Sequence, residues 1–425
     1  MALTFPASPP SLFLFFFFLL LFFSLSQAQV QTFTYVNEGE FGPYITENDA
    51  DYRVLPPFSS PFQMCFYNTT PGEFYLALRM ATRRSESTFR WVWRANPFSP
   101  VRDNATFSLR PDGDLVLANP DGKIVWSTNT ANKGVVGLKI VPGGNIVLYD
   151  NKGKFVWQSF DHPTDTLLVG QSLRVSGPTK LLSRNNGAYS LVLQSDGLYM
   201  YINNATTEPL LYGRLLDQAT TSVEFVSEPD TDHGAYELKL DLGPSQGSAI
   251  LAEPKYNATL SFLRIEEDGN LVVYTYYDPV DYQAWEKTYA YFSDEIGPGG
   301  PGGCMLPSKC GGFGLCENEM CVACPTKEGL LGWNESCSTP TLAKCTAAAA
   351  ADYYKVVGVE NFLTSYGKGK KSVKVEECKK KCSSDCKCLG FFYWELESTC
   401  WLAPLIGTLA KVSNSTHVAY VKFAK

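Results

Sequence analysis

Histidine is scarce, with three residues in a chain of 425. A secreted hydrolase that relies on imidazole for proton transfer has little to draw on, because none of the three stands beside a convincing partner and no paired-carboxylate site can be assigned. Cysteine is nearly missing from the first 300 positions, which hold Cys65 alone of the thirteen in the chain. Basic charge is in deficit: 36 Lys and Arg against 43 Asp and Glu leave a formal net charge of −7, which argues against nucleic acid as a partner. Long apolar runs are absent apart from Leu12 to Phe23, and twelve residues cannot span a bilayer. The segment from Ser415 to Lys425 is neither a spanning helix nor a lipid-anchor tail, so a soluble mature protein is expected.

The short apolar run is followed by Ser26 and Ala28, the small-x-small pattern of a signal-peptidase site. Residues 1–28 are therefore expected to be a signal peptide, although no Lys or Arg precedes the run, and the mature chain is expected to begin near Gln29. Six sequons, at Asn68, Asn104, Asn204, Asn257, Asn334 and Asn414, fit a glycosylated secretory product and are all expected at the surface. Twelve cysteines follow residue 300 in two groups of six, read as disulfides of an oxidising compartment. Cys65 is left over, and is expected as a buried free thiol, the alternative being a bridge between chains.

The middle of the chain repeats. Asp114 to Trp126 realigns on Asn145 to Trp157 at an offset of 31 without a gap, and Val92, Trp93 and Asn96 match Val125, Trp126 and Asn129 at an offset of 33. Each unit has Val-, Leu- and Ile-rich runs around Asp-Gly or Lys-Gly turns, and each ends on a Trp. Three short sheets that cannot each bury a face alone can meet around a common axis, with Trp93, Trp126 and Trp157 filling its centre. The pattern returns in weaker form at Leu191 to Leu198 and at Leu263 to Tyr274, with Tyr236 to Leu242 as the middle piece. The fold expected is mainly β, with tandem β-prisms at 40–168 and 170–295, the second diverged. A Gly/Pro linker at 297–303 separates them from a cysteine-rich segment at 304–340 and a last module at 345–425. In that module a helix is expected over Val375 to Lys381 and a strand over Leu389 to Trp394.

These residues resemble plant bulb-type lectins and the S-locus glycoprotein group. Val156 to Leu168 is similar to the signature that follows the lectin domain there. Cys304, Cys310-Gly-Gly-Phe-Gly and Cys316 resemble its EGF-like segment, and Cys378, Cys382, Cys386, Cys388 and Cys400 its PAN (apple) module. The resemblance covers nearly the whole mature chain and is nearest to secreted epidermal glycoproteins with lectin and PAN modules, which lack the kinase of S-domain receptors. It implies the pairs Cys378 with Cys400 and Cys382 with Cys388. It also implies a mannose site on a strand reading Gln-x-Asp-x-Asn-x-Val-x-Tyr, in which alternate residues face one sugar edge.

Carried over, the first such strand reads Arg110, Asp112, Asp114, Val116 and Ala118, and the second Val141, Gly143, Asn145, Val147 and Tyr149. The third keeps Gln194 and Asp196 but continues with Leu198, Met200 and Ile202. None of the three retains enough polar groups to orient a sugar. The fourth reads Glu266, Asp268, Asn270, Val272 and Tyr274, departing only by Glu for Gln, and is the candidate carbohydrate site.

Three other signals have plainer readings. Gly243-Pro-Ser-Gln-Gly247 fits a nucleophile elbow but is followed by another strand, so it is expected to be a hairpin turn. Asp161, His162 and Asp165 lie in the linking signature. Cys321 and Cys324 sit among six cysteines and are expected in disulfides rather than on a metal. Seven Lys between Lys368 and Lys381 form a solvated face or, in the weaker reading, a contact for acidic wall polysaccharide. The function expected is a non-catalytic, cofactor-free lectin-like glycoprotein of the extracellular space, apoplast or cell wall, binding mannose-type glycans or glycoproteins. The rivals are a wall scaffold without sugar affinity and a secreted hydrolase.

Overall fold

The computed structural model describes residues 29–81, 88–203, 208–280, 282–296, 300–340 and 351–424; the expected signal peptide, Asn204 and Cys345 lie outside them. The first prism has three antiparallel sheets. Phe33–Val36, Thr106–Leu109, Leu115–Ala118 and Ile124–Ser127 form one, and Asp51–Ser59, Phe62–Thr70, Glu73–Met80 and Arg90–Arg94 another. The third is Val135–Ile140, Ile146–Asp150 and Phe155–Gln158. The three Trp rings meet as the repeat predicts, with centroids 5.9, 6.2 and 5.8 Å apart and each pair edge-to-face, an arrangement that suits the aromatic quadrupole.

The second prism has three sheets of four strands. Thr166–Leu168, Ser261–Ile265, Leu271–Tyr276 and Trp285–Ala290 make the first; Gln171–Arg174, Ser222–Asp230, Ala235–Asp241 and Ser248–Ala252 the second. Lys180–Leu182, Tyr189–Gln194, Gly197–Ile202 and Leu210–Leu216 make the third. The middle unit inferred around Tyr236 is the strand Ala235–Asp241. Gly243 to Gly247 is the turn of its hairpin, with both glycines at positive φ, 97° and 76°. Strand pairing does not follow the expected module edges. Phe33–Val36 already pairs in the first prism, and Thr166–Leu168 pairs with Arg264, Leu263 and Phe262 of the second.

Beyond the second prism the modules are fused. The strand Phe313–Glu317 of the cysteine-rich segment pairs in parallel with Gly407–Lys411 of the last module, so one five-stranded sheet spans both. Disulfides join Cys304 to Cys316, Cys310 to Cys321 and Cys324 to Cys337, which places both members of the Cys321-x-x-Cys324 pair in bridges. In the last module Cys378 is bonded to Cys400 and Cys382 to Cys388; Cys386 is also disulfide-bonded. Helices span Phe362–Tyr366 and Val375–Ser384. Asn361 caps the shorter one, accepting from the Leu363 N–H at 3.0 Å.

The Gly/Pro run does not separate two cores. The helix Phe362–Tyr366 packs on the strand Leu210–Leu216, and one apolar cluster runs from Leu167 and Leu198 through Phe313 and Leu315 to Phe392 and Val421. The surface expectation for the sequons is also corrected at one position. Asn104, Asn257, Asn334 and Asn414 are exposed, but Asn68 is 5% exposed, because it lies in a central strand of its sheet, opposite Asp51.

Candidate functional site

The carried-over row does not lie on one strand. Glu266 to Asn270 is a hairpin turn, closed by Gly269 N–H donating to the Glu266 carbonyl at 3.1 Å, with Gly269 at φ 90°. The Asp268 carboxylate accepts from the Asn270 N–H at 2.8 Å and so holds the turn from within. Alternation begins only with the strand Leu271–Tyr276. All five residues nevertheless line one cavity of about 360 Å³, together with Glu47, Arg90, Arg184, Arg264 and Lys287.

The floor of that cavity is an ion-pair cluster shared by both prisms. Glu47, on a short 3₁₀ turn of the first prism, pairs with Arg184, with Arg264 at 2.8 Å and with Arg90 at 3.6 Å. Arg184 also reaches Asp165 at 2.7 Å, and Arg264 reaches Glu266 at 3.0 Å. Burial alone would raise the carboxyl of Glu47, yet Arg184, Arg264 and Arg90 around it hold it below the usual range. Asp165 is held down in the same way by Arg184, Arg94 and Arg264 against its burial. At the mouth, Asp268 is shifted upward, first by the protein mass around it and then by Glu266. The Tyr274 phenol is pushed up to about 12 by burial and by Glu266.

The two faces of the strand Leu271–Tyr276 go to different cores. Leu271 and Val273 join the second prism's cluster, while Val272, Tyr274 and Tyr276 join that of the first prism. Val272 is 3% exposed and Tyr274 6%, so the face expected to pack against a sugar ring is largely covered by the neighbouring prism. Arg90 lies over the Tyr274 ring, and the Trp285 indole N–H donates to the Thr88 carbonyl at 2.7 Å. Asn270 is committed as well: its amide donates to the Phe292 carbonyl at 3.1 Å and accepts from the Phe292 N–H at 3.0 Å.

Two of the other three strands show why the Asp or Asn after the turn persists. Asn145 accepts from the Phe160 N–H at 3.2 Å and donates to Gln158 at 2.9 Å, and Asp114 accepts from the Thr130 N–H at 2.9 Å. At Asp114 and Asn145, as at Asn270, this residue ties its strand to the chain beyond the next one. In the third strand Leu198, Met200 and Ile202 enter the core, and Gln194 donates to the Tyr201 hydroxyl at 2.9 Å. Asp161, His162 and Asp165 form no acid–base pair. Asp161 binds Arg174 at 2.7 Å, Asp165 is locked to Arg184, and His162 stacks on Trp157 at 5.2 Å. The cluster residues Glu47, Arg90, Arg184 and Arg264 escaped the sequence reading. The available signal was a lone charge in an apolar strand, as in Ser261-Phe-Leu-Arg-Ile265.

A prism of short sheets around a Trp centre, followed by a second prism of three four-stranded sheets and with Asp-Gly hairpins bearing the row just described, defines a protein of the bulb-type lectin class. The family model described as "D-mannose binding lectin" matches residues 90–186. The chain is 48% identical over 431 residues to EP1-like glycoprotein 2 of Arabidopsis thaliana, covering 92% of this chain and 94% of that one. It is 52% identical over 344 residues to the epidermis-specific secreted glycoprotein EP1 of Daucus carota, covering 74% and 88%. The chain belongs to the EP1-like glycoprotein family. A more distant relative is the G-type lectin S-receptor-like serine/threonine-protein kinase SD2-5 of Arabidopsis thaliana, 25% identical over 94% of this chain and 48% of the kinase. The solved Polygonatum cyrtonema lectin complexed with monomannoside matches at 20% identity over 26% of this chain and 71% of that one, with a TM-score of 0.12 that carries no argument. A relative named as secreted agrees with the extracellular location expected from the leader, and among the described residues no helix is long and apolar enough to cross a membrane.

Proposed function

We propose that this protein is a non-catalytic, lectin-like extracellular glycoprotein that contacts mannose-type glycans weakly at the mouth of the Glu266–Tyr274 cavity. The supporting observation is that Glu266, Asp268, Asn270, Val272 and Tyr274 line a single polar cavity, with four acidic and four basic side chains around it. Such a lining offers donors and acceptors to hydroxyls without selecting for charge. Binding is weak because Val272 and Tyr274 present little free surface, so a useful interaction depends on several copies meeting a glycan-dense partner.

A second reading, a scaffold without sugar affinity, is favoured by Asn270, whose amide already serves the Phe292 backbone. Calorimetry with mannopentaose, and the same protein clustered on beads over a glycan array, separate the two. Asp268→Ala is expected to lower mannopentaose affinity by about 1 to 3 kcal/mol. Equal binding by Asp268→Ala and Asn270→Ala would remove the site assignment, and no binding by the clustered wild type would leave the scaffold reading.

A further inference from the structure

A second cavity, of about 430 Å³, opens where the two prisms join. Three segments form it: the loop after Arg90–Arg94 with Phe98, the connector Asp161 to Thr164, and the turn Gly177 to Lys180 of the second prism. Pockets of this size at a junction of two units suit a small ligand unit rather than a folded partner.

Its walls and its rim differ in chemistry. Phe98 is 48% exposed and makes no ring contact among the described residues, and Pro97, Pro163, Pro178 and Leu182 continue the apolar wall. Around this wall stand three polar groups. Asp161 is fixed by Arg174 at 2.7 Å and by the Gln158 amide donating at 2.9 Å, which neutralises its charge and leaves each oxygen an unused lone pair. His162 is held by its ring face on Trp157 at 5.2 Å, and its carbonyl accepts from the Trp93 indole at 2.9 Å, yet its ring nitrogens have no partner among the described residues. Burial keeps this imidazole below its ordinary value against the pull of Asp161, so the neutral ring can both donate and accept. Lys180 makes no ion pair among the described residues.

We propose that this junction cavity is a second glycan-binding site, which takes one pyranose residue with its apolar face on Phe98 and its hydroxyls on Asp161, His162 and Lys180. A pyranose has one C–H face and a ring of hydroxyls, the same division that the cavity shows between wall and rim. The connector is anchored by the Trp centre, so the site is formed before the ligand arrives and little ordering is needed on binding. The inference does not depend on the Glu266–Tyr274 reading, since the two cavities share no residue. An uncharged hexose and a uronic acid share the pyranose chemistry, and Lys180 gives the latter a carboxylate partner.

The test is calorimetry of the full glycoprotein with two probes, mannopentaose and tetragalacturonate, for wild type, Phe98→Ala, His162→Gln and Asp268→Ala. Phe98 is exposed, so an unchanged Tm certifies its variant, and His162→Gln keeps hydrogen-bonding capacity while removing the ring. At least one probe is expected to bind the wild type, with a tenfold or greater loss in Phe98→Ala, whatever Asp268→Ala does at the other cavity. Stronger binding of tetragalacturonate would identify the acidic class, and stronger binding of mannopentaose the neutral one. Wild-type affinity in both Phe98→Ala and His162→Gln, or no binding of either probe by the wild type, would overturn the proposal. Loss in Asp268→Ala alone would overturn it while leaving the first site standing.

Discussion

The guanidinium of Arg90 in the first prism lies 4.6 Å from the ring centre of Tyr274 in the second. A cation in this position covers the face that a sugar ring would need, and contributes on the order of 1 to 2 kcal/mol where it is desolvated. Arg90→Ala is expected to lower stability by about that amount, read as a fall in the urea midpoint. The same variant is expected to bind mannopentaose more tightly than wild type, because Tyr274 becomes accessible. Unchanged stability with unchanged binding would show that the contact does neither.

The buried carboxylates of Glu47 and Asp165 tie stability to pH. Both have folded-state values below those of the unfolded chain, so their contribution is complete above about pH 4 to 5 and is lost as pH falls through the folded values. Urea midpoints measured from pH 7 to pH 3 are expected to hold and then fall on the acid side. Glu47→Gln leaves Arg184 and Arg264 short of one buried anion and is expected to cost about 3 kcal/mol or more at neutral pH. Its acid-side slope should be shallower than wild type, since one of the two linked groups is gone.

Cys65 is a free thiol, fully buried, whose value is pushed up to about 12 chiefly by that burial. With almost no thiolate at neutral pH it should resist iodoacetamide in the native protein and react once urea unfolds the chain. Peptide mapping before and after denaturation reads this directly. Native labelling at the rate of a free thiol would contradict the burial.

Glycopeptide mass spectrometry of the secreted protein should find Asn104, Asn257, Asn334 and Asn414 occupied and Asn68 bare. A glycan on Asn68 would have to enter a packed sheet, so chains that carry it are expected to fail to fold. Its detection in folded protein would mean that the strand Phe62–Thr70 opens.

The first prism was the most legible part of the fold because its repeats retain both the turn glycines and the Trp at the end of each unit. The second prism was visible through only two of its hairpins, since Tyr236 to Leu242 has no Trp and lacks the Asp-Gly turn. The candidate row was found, but its environment was not. Glu47, Arg90 and Arg264 are far apart in sequence, and nothing local shows that they meet. One clue was present, in that Leu271-Val-Val-Tyr-Thr-Tyr276 is almost continuously apolar, the pattern of a strand covered on both faces rather than one facing solvent. A strand open to sugar on one side would have alternated more clearly.

The parallel pairing of Phe313–Glu317 with Gly407–Lys411 sets a constraint on the order of assembly. During synthesis the bonds Cys304–Cys316, Cys310–Cys321 and Cys324–Cys337 can close once Cys337 has emerged. Their sheet, however, must wait for a strand made some 70 residues later, at the ribosomal rate of about 5 to 20 residues per second. For those seconds the hairpin has an unpaired edge beside the second prism, and the last module acts as the clasp that ends this exposure.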